Sequence, residues 1–228
     1  MAPILILHGW GSRAKNWAKV KELLEKNGIK VLVPDLPGFG DNPPLTKLWT
    51  IDDYVRWVKD FAKRSNLDHF FLLGHSFGGA ISLKYALKFP GEIKKLILVD
   101  AAIIRVRRET VEWLAKTLKI FSFLPGYPLA RKAFYKFIVG KSDYQDAMGA
   151  TRETYLKAIR EDLSVHLGLV SVPTVLIWGE KDDTTPLKDA FTIKDKISGA
   201  VLEAIPGVKH NPHTVSPELL VERITKNL

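Results

Sequence analysis

The fold of this chain is decided by the stretch Gly74-His75-Ser76-Phe77-Gly78-Gly79, which lies between an apolar run at 70–73 and a helical pattern that ends near Phe89. A Gly-x-Ser-x-Gly turn between a strand and a helix presents its serine on a sharp, strained turn, with the hydroxyl exposed at the sheet edge. Side chains at positions 74 and 78 would collide with the neighbouring strand or helix, so both positions require glycine. This context predicts that Ser76 is a nucleophile, rather than one residue of a simple glycine-rich turn.

Short apolar strands and amphipathic helices alternate on both sides of this stretch. Alternation with short connections predicts a parallel sheet with helices on both faces, which is an α/β fold. The apolar runs predict strands at 4–7, 30–33, 70–73, 94–99, 173–179 and 200–205.

The alternation stops after Asp100, and only helical patterns follow until about Gly168. These patterns predict three helices, at 110–121, 129–139 and 151–166. We therefore predict a core formed by residues 1–100 and 169–228. The intervening segment, 101–168, is predicted to be a helical cap insertion over one edge of the sheet.

The composition excludes several classes of protein. The chain has 228 residues, of which 46% are hydrophobic and none is cysteine. The absence of cysteine excludes a disulfide framework, a thiol nucleophile and a thiolate metal site. No apolar run reaches the roughly 18 residues of a membrane span, and the N-terminus does not resemble a signal peptide. These features predict a cytoplasmic protein.

The formal net charge is +9, and it is distributed unevenly. Residues 101–165 contain twelve Lys and Arg against seven Asp and Glu, which indicates a basic face on the cap. This face is either an ordinary solvated surface or a binding surface for an acidic partner. Nucleic acid is not expected, because the sequence contains no nucleic-acid-binding motif and no interleaving of basic and aromatic residues.

The overall pattern resembles the α/β-hydrolase superfamily across nearly the whole chain. Each motif that carries the resemblance follows a predicted strand, at the edge where open parallel sheets bind ligands. Most members of the family have one or two strands before the first one seen here, so the resemblance implies a shorter sheet of about six strands. The motifs are an oxyanion loop at 8–11, the elbow at 74–79, an acid loop at 178–186, and His210 followed by Pro217.

The resemblance assigns a role to each residue of a Ser-His-Asp triad, in the chain order expected of this fold. Ser76 is the nucleophile, and His210 is the base that takes its proton and returns it to the leaving group. Asp182 holds His210 in the right tautomer and stabilises its charged form. The backbone N–H groups of Trp10 and Phe77 are the expected oxyanion donors.

Three other residues remain candidates for these roles. Asp183 could supply the acid, although the family spacing of four residues before a proline favours Asp182. Asp100 also ends a strand, and some relatives take their acid from that position. His213 could replace His210 as the base. Two further histidines have structural interpretations: His75 is expected to be a packed neighbour of the nucleophile, and His8 to order its loop by hydrogen bonds.

The resemblance implies a carboxylesterase-like serine hydrolase that cleaves a small-molecule ester. Serine at the elbow argues against the dehalogenase and epoxide-hydrolase branches, which use aspartate. Lactonases, thioesterases, C–C bond hydrolases and perhydrolases remain as alternatives. A non-catalytic ligand-binding member of the fold is the rival from another class. No metal or other cofactor is expected, because no His, Asp or Glu cluster has metal-ligand spacing in the sequence.

The cap is expected to determine specificity. The motifs also resemble those of the esterases that demethylate pimeloyl-carrier-protein methyl esters, so an acidic acyl carrier protein is a candidate partner. Aromatic residues expected in the substrate pocket are Trp113, Phe121, Phe123, Phe134 and Phe137. The cations that could steer an acidic carrier are Arg105, Arg107, Arg108, Arg131, Lys132, Lys136 and Lys141.

Overall fold

The computed structural model of the chain describes residues 2–104 and 149–228. Two of the predicted cap helices, 110–121 and 129–139, lie outside these residues, so their prediction is untested. The same holds for the predicted pocket aromatics Trp113, Phe121, Phe123, Phe134 and Phe137. The seven cations of the predicted cap also lie outside the described residues, so their prediction is untested too: Arg105, Arg107, Arg108, Arg131, Lys132, Lys136 and Lys141.

The described residues form one sheet of six parallel strands, in the order β2-β1-β3-β4-β5-β6. This confirms the predicted parallel sheet of about six strands. The strand β3 lies between β1 and β4, so the residues that follow it are near the middle of the sheet edge. The strands are β1 Ile4–Leu7, β2 Val31–Leu32, β3 Phe70–His75, β4 Ile93–Val99, β5 Thr174–Gly179 and β6 Val201–Ile205.

Helices cover both faces of the sheet, as the alternation predicted. On one face α1 and α7 enclose a buried cluster, and on the other face α2, α3 and α5 contribute to a larger one. A 3₁₀ turn at Ala14–Trp17 precedes the first helix. The helices are α1 Ala18–Lys26, α2 Ile51–Arg64, α3 Phe77–Lys88, α4 Gly149–Ala158, α5 Leu187–Lys196, α6 Pro212–Val215 and α7 Pro217–Lys226.

Helices α2 and α3 show how the local sequence determines where a helix begins and how closely it packs on the sheet. The helix α2 begins after Thr50, whose hydroxyl accepts the Asp53 N–H while the Asp53 carboxylate accepts the Thr50 N–H. This reciprocal capping box satisfies two backbone donors that a helix start leaves free. Helix α3 is buried along nearly its whole length, because its small residues let it pack closely against the sheet and α2.

The predicted helix at 151–166 is wrong in its second half. Helix α4 ends at Ala158, and a separate 3₁₀ segment runs from Ser164 to Leu169. The chain leaves the helix because Leu163 is buried and its N–H donates to Ile103 O at 3.2 Å, a bond that a continuing helix could not make. Within the described ranges, no helix is long and apolar enough to cross a membrane.

Candidate active site

The turn between β3 and α3 has the geometry of a strained elbow. Ser76 lies at its tip with φ 51° and ψ −115°, outside the regions that serine ordinarily occupies. A Cβ added at Gly74 would overlap the Gly78 carbonyl oxygen and Ser82 Oγ of α3. A Cβ added at Gly78 would overlap the Leu7 carbonyl oxygen at the end of β1. The predicted steric need for both glycines is therefore confirmed.

The structure brings three side chains predicted from separate motifs into one hydrogen-bonded row. His210 Nε2 lies 3.0 Å from Ser76 Oγ, and His210 Nδ1 lies 2.7 Å from Asp182 Oδ2. The Asp182 carboxylate accepts, so Nδ1 carries the ring proton and Nε2 of the neutral imidazole is free to accept from the Ser76 hydroxyl. The row has the order nucleophile, base and acid that activates a serine.

The acid loop surrounds the Asp182 carboxylate with donors. Its Oδ1 accepts the N–H groups of Thr184 and Thr185 at 2.8 and 3.0 Å, and its Oδ2 accepts the Thr185 hydroxyl at 2.7 Å. Burial alone would raise the pKa of Asp182, but hydrogen bonds from His210 and Thr185 outweigh burial and lower the pKa below its ordinary value. The carboxylate is therefore ionised and fixed opposite the imidazole.

The other candidates for acid and base lie elsewhere. The Asp183 side chain is 73% exposed, and its Oδ2 lies 3.5 Å from Lys209 Nζ. Asp100 is fully buried behind Asp182, and its Oδ1 accepts the Gly179 N–H at 2.8 Å. His213 is buried in α6, where burial lowers its pKa to about 4.

The His213 ring takes part in an aromatic stack and is not hydrogen-bonded to Ser76 or Asp182. Its ring lies on Trp17 with a 4.4 Å centroid distance and an interplanar angle of 2°. The ring thus packs against the first helical turn of the chain. The structure places His210, not His213, beside Ser76.

Two further histidines tie the loops of the site together. His75 is a packed neighbour, as expected, and its Nε2 donates to the His210 carbonyl oxygen at 2.7 Å. Burial, then the neighbouring His213 and His210, hold the pKa of His75 well below its ordinary value, so its ring is neutral. His8 orders its loop as predicted, because its Nδ1 donates to Gly9 O at 2.8 Å and its Nε2 accepts Leu36 N–H at 2.9 Å.

The loop after β1 passes directly beside the elbow. A Cβ added at Gly9 would lie 3.2 Å from Ser76 Cβ, so glycine permits this close approach. Trp10 follows on the same loop, and Phe77 N is the first amide of α3. Neither backbone N–H donates a hydrogen bond to another of the described residues. Both predicted oxyanion donors therefore belong to the two segments that meet at Ser76.

An aromatic cluster lies on this side of the site. The Trp10 ring contacts Phe39, Phe77 and Tyr155 edge to face, with centroid distances of 4.8, 5.2 and 4.9 Å. Because Tyr155 belongs to α4, this helix of the predicted cap segment, 101–168, reaches the residues around the elbow. A second link is the Trp49 N–H, which donates to the buried Thr154 hydroxyl at 2.9 Å. The wall beside Ser76 is thus apolar and partly built from the predicted cap segment.

One group of described residues has metal-ligand spacing after folding. His75, Asp100 and His210 each offer one ligand atom, and these atoms lie within 4.8 Å of one another. His75 Nε2 and both nitrogens of His210 are already engaged in hydrogen bonds within the protein. Using these groups as ligands would break the row between Ser76 and Asp182, so the donor set does not fit a resident metal.

Sequence reasoning missed two residues of the site. Thr185 donates to Asp182 and lies 3.3 Å from His210 Nδ1, and its carbonyl oxygen accepts the Trp178 indole N–H at 2.7 Å. A threonine three residues after the acid, in a loop rather than a helix, was a usable signal for a local side-chain bond. Tyr155 carried no local signal, because its contact with Trp10 depends on how the cap segment packs.

Residues 2–127 match the sequence profile of the alpha/beta hydrolase fold. Lipase 3 of Moraxella sp. strain TA144 is 29% identical over 92% of this chain and 72% of its own length. A 2-hydroxy-6-oxononadienedioate/2-hydroxy-6-oxononatrienedioate hydrolase of Pseudomonas putida is 24% identical over 91% of this chain and 81% of its own. The esterase EaEST from Exiguobacterium antarcticum superimposes with a TM-score of 0.77 at 23% identity, covering 99% of this chain and 91% of the esterase.

Proposed function

Because the chain belongs to the alpha/beta hydrolase fold family, we propose that it is a serine hydrolase that cleaves a carboxylic ester through an acyl-enzyme. One observation carries the proposal: Ser76, His210 and Asp182 form a continuous hydrogen-bonded row at the carboxyl edge of the sheet. That edge is where open parallel sheets bind their ligands. A relative named as a lipase and a fold neighbour named as an esterase support the same class.

The first half of the reaction is acylation. His210 Nε2 takes the proton of the Ser76 hydroxyl as Ser76 Oγ attacks the ester carbonyl carbon. The positive charge that develops on the imidazole faces the ionised Asp182 carboxylate. The same Nε2 then returns the proton to the departing alkoxide, which leaves as an alcohol. The acyl group remains bonded to Ser76 Oγ.

The second half is deacylation by water. His210 takes a proton from the water as the water attacks the acyl carbon, and Ser76 Oγ recovers that proton when the acid leaves. Both halves pass through a tetrahedral oxyanion. We propose that the backbone N–H groups of Trp10 and Phe77, which belong to the two segments that meet at Ser76, donate to it. Each such donor typically contributes about 3–4 kcal/mol to lowering the barrier.

The aromatic cluster of Trp10, Phe39, Phe77 and Tyr155 supports an apolar acyl group as the part of the substrate beside the nucleophile. Apolar walls with a few convergent polar groups are typical of small-molecule sites. Because Tyr155 belongs to the cap segment, we also propose that this segment, 101–168, limits the acyl chain length that fits.

Covalent labelling tests the nucleophile. A fluorophosphonate probe should label the protein once, at Ser76, and the label should be lost in the Ser76→Ala variant. Circular dichroism of this variant should match that of the unsubstituted protein, which controls for misfolding. Persistent labelling of Ser76→Ala would refute the proposed nucleophile. A panel of p-nitrophenyl esters of increasing chain length then measures the acyl preference.

A second candidate is hydrolysis of a carbon–carbon bond by the same three side chains. The Pseudomonas putida relative, whose name gives it a hydroxy-oxo dicarboxylate substrate, favours this alternative. Assays with an ester and with a vinylogous hydroxy-oxo acid separate the two. Turnover of the second substrate alone would replace the esterase proposal while leaving Ser76 as the expected site of labelling.

An acidic acyl carrier protein remains a proposed partner. The cations that would attract it lie between 105 and 141, outside the described residues. The proposal therefore depends on the excess of Lys and Arg in the sequence of this segment. Exposed charges of this kind raise association rates and are screened by salt.

A further inference from the structure

The Asp100 carboxyl group is buried behind the site with one oxygen unsatisfied. Asp100 follows β4 and is completely inaccessible to solvent. Its Oδ1 accepts the Gly179 N–H at 2.8 Å, but its Oδ2 has no donor among the residues that the structure describes. A buried carboxylate ordinarily has donors on both oxygens, because an unsatisfied buried charge is costly.

The groups that face Asp100 are mostly unable to stabilise a negative charge. The ionised Asp182 carboxylate is near enough to raise the pKa of Asp100, both by its charge and as a potential acceptor of a proton from Asp100. The nearest ring nitrogens belong to His75, which burial keeps neutral, and to His210, whose ring proton is directed at Asp182. Asp189 of α5 adds a further carboxyl group, whose pKa is raised by burial and by the charge of Asp182. Two adjacent carboxylates in such a place do not both ionise.

The Thr185 hydroxyl does not provide the missing hydrogen bond to Asp100 Oδ2. It lies 2.7 Å from Asp182 Oδ2 and 3.1 Å from the Asp100 backbone carbonyl oxygen, and it has a single proton to donate. Neither contact supplies a donor to Asp100 Oδ2. Among the described residues, the one hydrogen left to join the Asp100 and Asp182 carboxyl groups is a proton carried by one of these two groups.

We propose that Asp100 carries a proton and donates it in a hydrogen bond to the Asp182 carboxylate, acting as a positioning residue for the acid of the site. Burial, together with the charge of Asp182, raises the pKa of Asp100 to about 9, which is consistent with a neutral carboxylic acid at physiological pH. Asp182 then has donors from its own loop, from His210 and from the end of β4. The role in catalysis rests on the proposed function, whereas the protonation does not.

A protonated Asp100 that donates to Asp182 affects the site differently from an ionised Asp100. It restrains the Asp182 carboxylate from a third direction while adding no negative charge near His210. Such a restraint keeps Asp182 Oδ2 within hydrogen-bond distance of His210 Nδ1. A second ionised carboxylate would instead repel Asp182 and increase the negative potential at the imidazole.

Infrared spectroscopy tests the proton without requiring any activity. A protonated carboxyl group has a carbonyl stretch that is distinct from those of carboxylates and backbone amides. The comparison is between Ser76→Ala and Ser76→Ala with Asp100→Asn, because asparagine also tolerates the left-handed φ of 44° at this position. Near neutral pH we expect one carboxylic acid band that is absent from the Asn variant. Identical spectra in this region would overturn the proposal.

A pH profile of kcat/KM tests the positioning role in the unmodified active site. Asparagine preserves both a donor towards Asp182 and an acceptor for Gly179 N–H, so Asp100→Asn should keep kcat/KM within about threefold and leave the acid limb unmoved. Asp100→Ala removes the donor and should lower kcat at least about tenfold, with little change in KM. The acid limb of the Asp100→Ala profile should shift to higher pH, because no hydrogen bond from residue 100 then partly neutralises the negative charge of the Asp182 carboxylate.

These outcomes separate the proposal from its rivals. If Asp100→Asn moves the acid limb to lower pH, Asp100 is an ionised group and the proposal is wrong. If Asp100→Ala loses stability but retains kcat, Asp100 is structural and the positioning role is wrong. If no ester is hydrolysed by the unsubstituted protein, the proposed function fails, and the infrared comparison still decides whether Asp100 carries the proton.

Discussion

A proton held by a buried carboxyl group must make the stability of the fold depend on pH. The pKa of Asp100 is raised to about 9 in the folded chain, mainly by burial, whereas an aspartate in an unfolded chain titrates near about 3.9. Between these values the folded state holds a proton that the unfolded state has released. Unfolding therefore becomes more favourable as pH rises through this window, and Asp100→Asn removes this single contribution.

The expected magnitude follows from the one proton involved. The free energy of unfolding of Asp100→Asn, minus that of the unsubstituted protein, should increase by about 1.4 kcal/mol per pH unit. Between about pH 6 and pH 8 the difference should therefore grow by about 2.7 kcal/mol. Urea unfolding at a series of pH values measures it, provided that the m-value is the same in both proteins. The change of this free-energy difference with pH is the decisive quantity, because the substitution also adds a difference that does not depend on pH.

Asp183→Asn is the matched control for this measurement. Its carboxylate is in the same loop as Asp182 but is 73% exposed, so it should give no slope between about pH 6 and pH 8. A flat difference for Asp100→Asn over the same range would show that Asp100 is ionised in the folded protein. That result would refute the reasoning about its burial.

Three further predictions concern activity. His210→Ala and Asp182→Asn should each lower kcat by several orders of magnitude, whereas Asp183→Asn should have little effect; kinetics with a p-nitrophenyl ester measure this. Thr185→Val should lower kcat by about tenfold, because Asp182 Oδ2 loses a donor, and denaturant titration checks that the fold persists. With rising salt, kcat/KM for a carrier-bound acyl methyl ester should fall steeply and that for a small neutral ester should barely change.

Each of these predictions has an outcome that contradicts it. A larger loss for Asp183→Asn than for Asp182→Asn would mean that the acid is misassigned. Unchanged kcat in Thr185→Val would mean that the Thr185 hydroxyl stabilises its loop but does not contribute to catalysis. Equal salt dependence for both esters would remove the argument for an acidic carrier as partner.

The parts of the molecule that depend on local pattern were predictable. The elbow at Ser76 follows from glycine spacing between a strand and a helix, and its steric reason appears in the contacts of Gly74 and Gly78. The six strands follow from apolar runs, and their parallel arrangement follows from the alternation with helices. The convergence of Ser76, Asp182 and His210 was expected, because each follows a strand of the same sheet edge.

The parts that depend on packing between distant segments were not predictable. The end of α4 at Ala158 is set by the burial of Leu163 and its bond to Ile103, neither of which interrupts the helical pattern of the sequence. The stacking of His213 on Trp17 becomes visible only when α6 packs against the 3₁₀ turn Ala14–Trp17. The unsatisfied oxygen of Asp100 has no signal in sequence either, because it is a property of the surrounding donors.

The strained backbone at Ser76, the proposed nucleophile, has a cost in folding free energy. A non-glycine residue in a sparsely populated conformation costs about 1–3 kcal/mol and persists only where the surroundings hold it. Here the Ser76 N–H donates to Val99 O and the Ser76 carbonyl oxygen accepts the Gly79 and Ala102 N–H groups, all at 3.0 Å. Glycine would relieve the strain, so selection for folding stability alone would replace this serine. Its presence is thus a sign that the chain has been selected for something other than stability at this position.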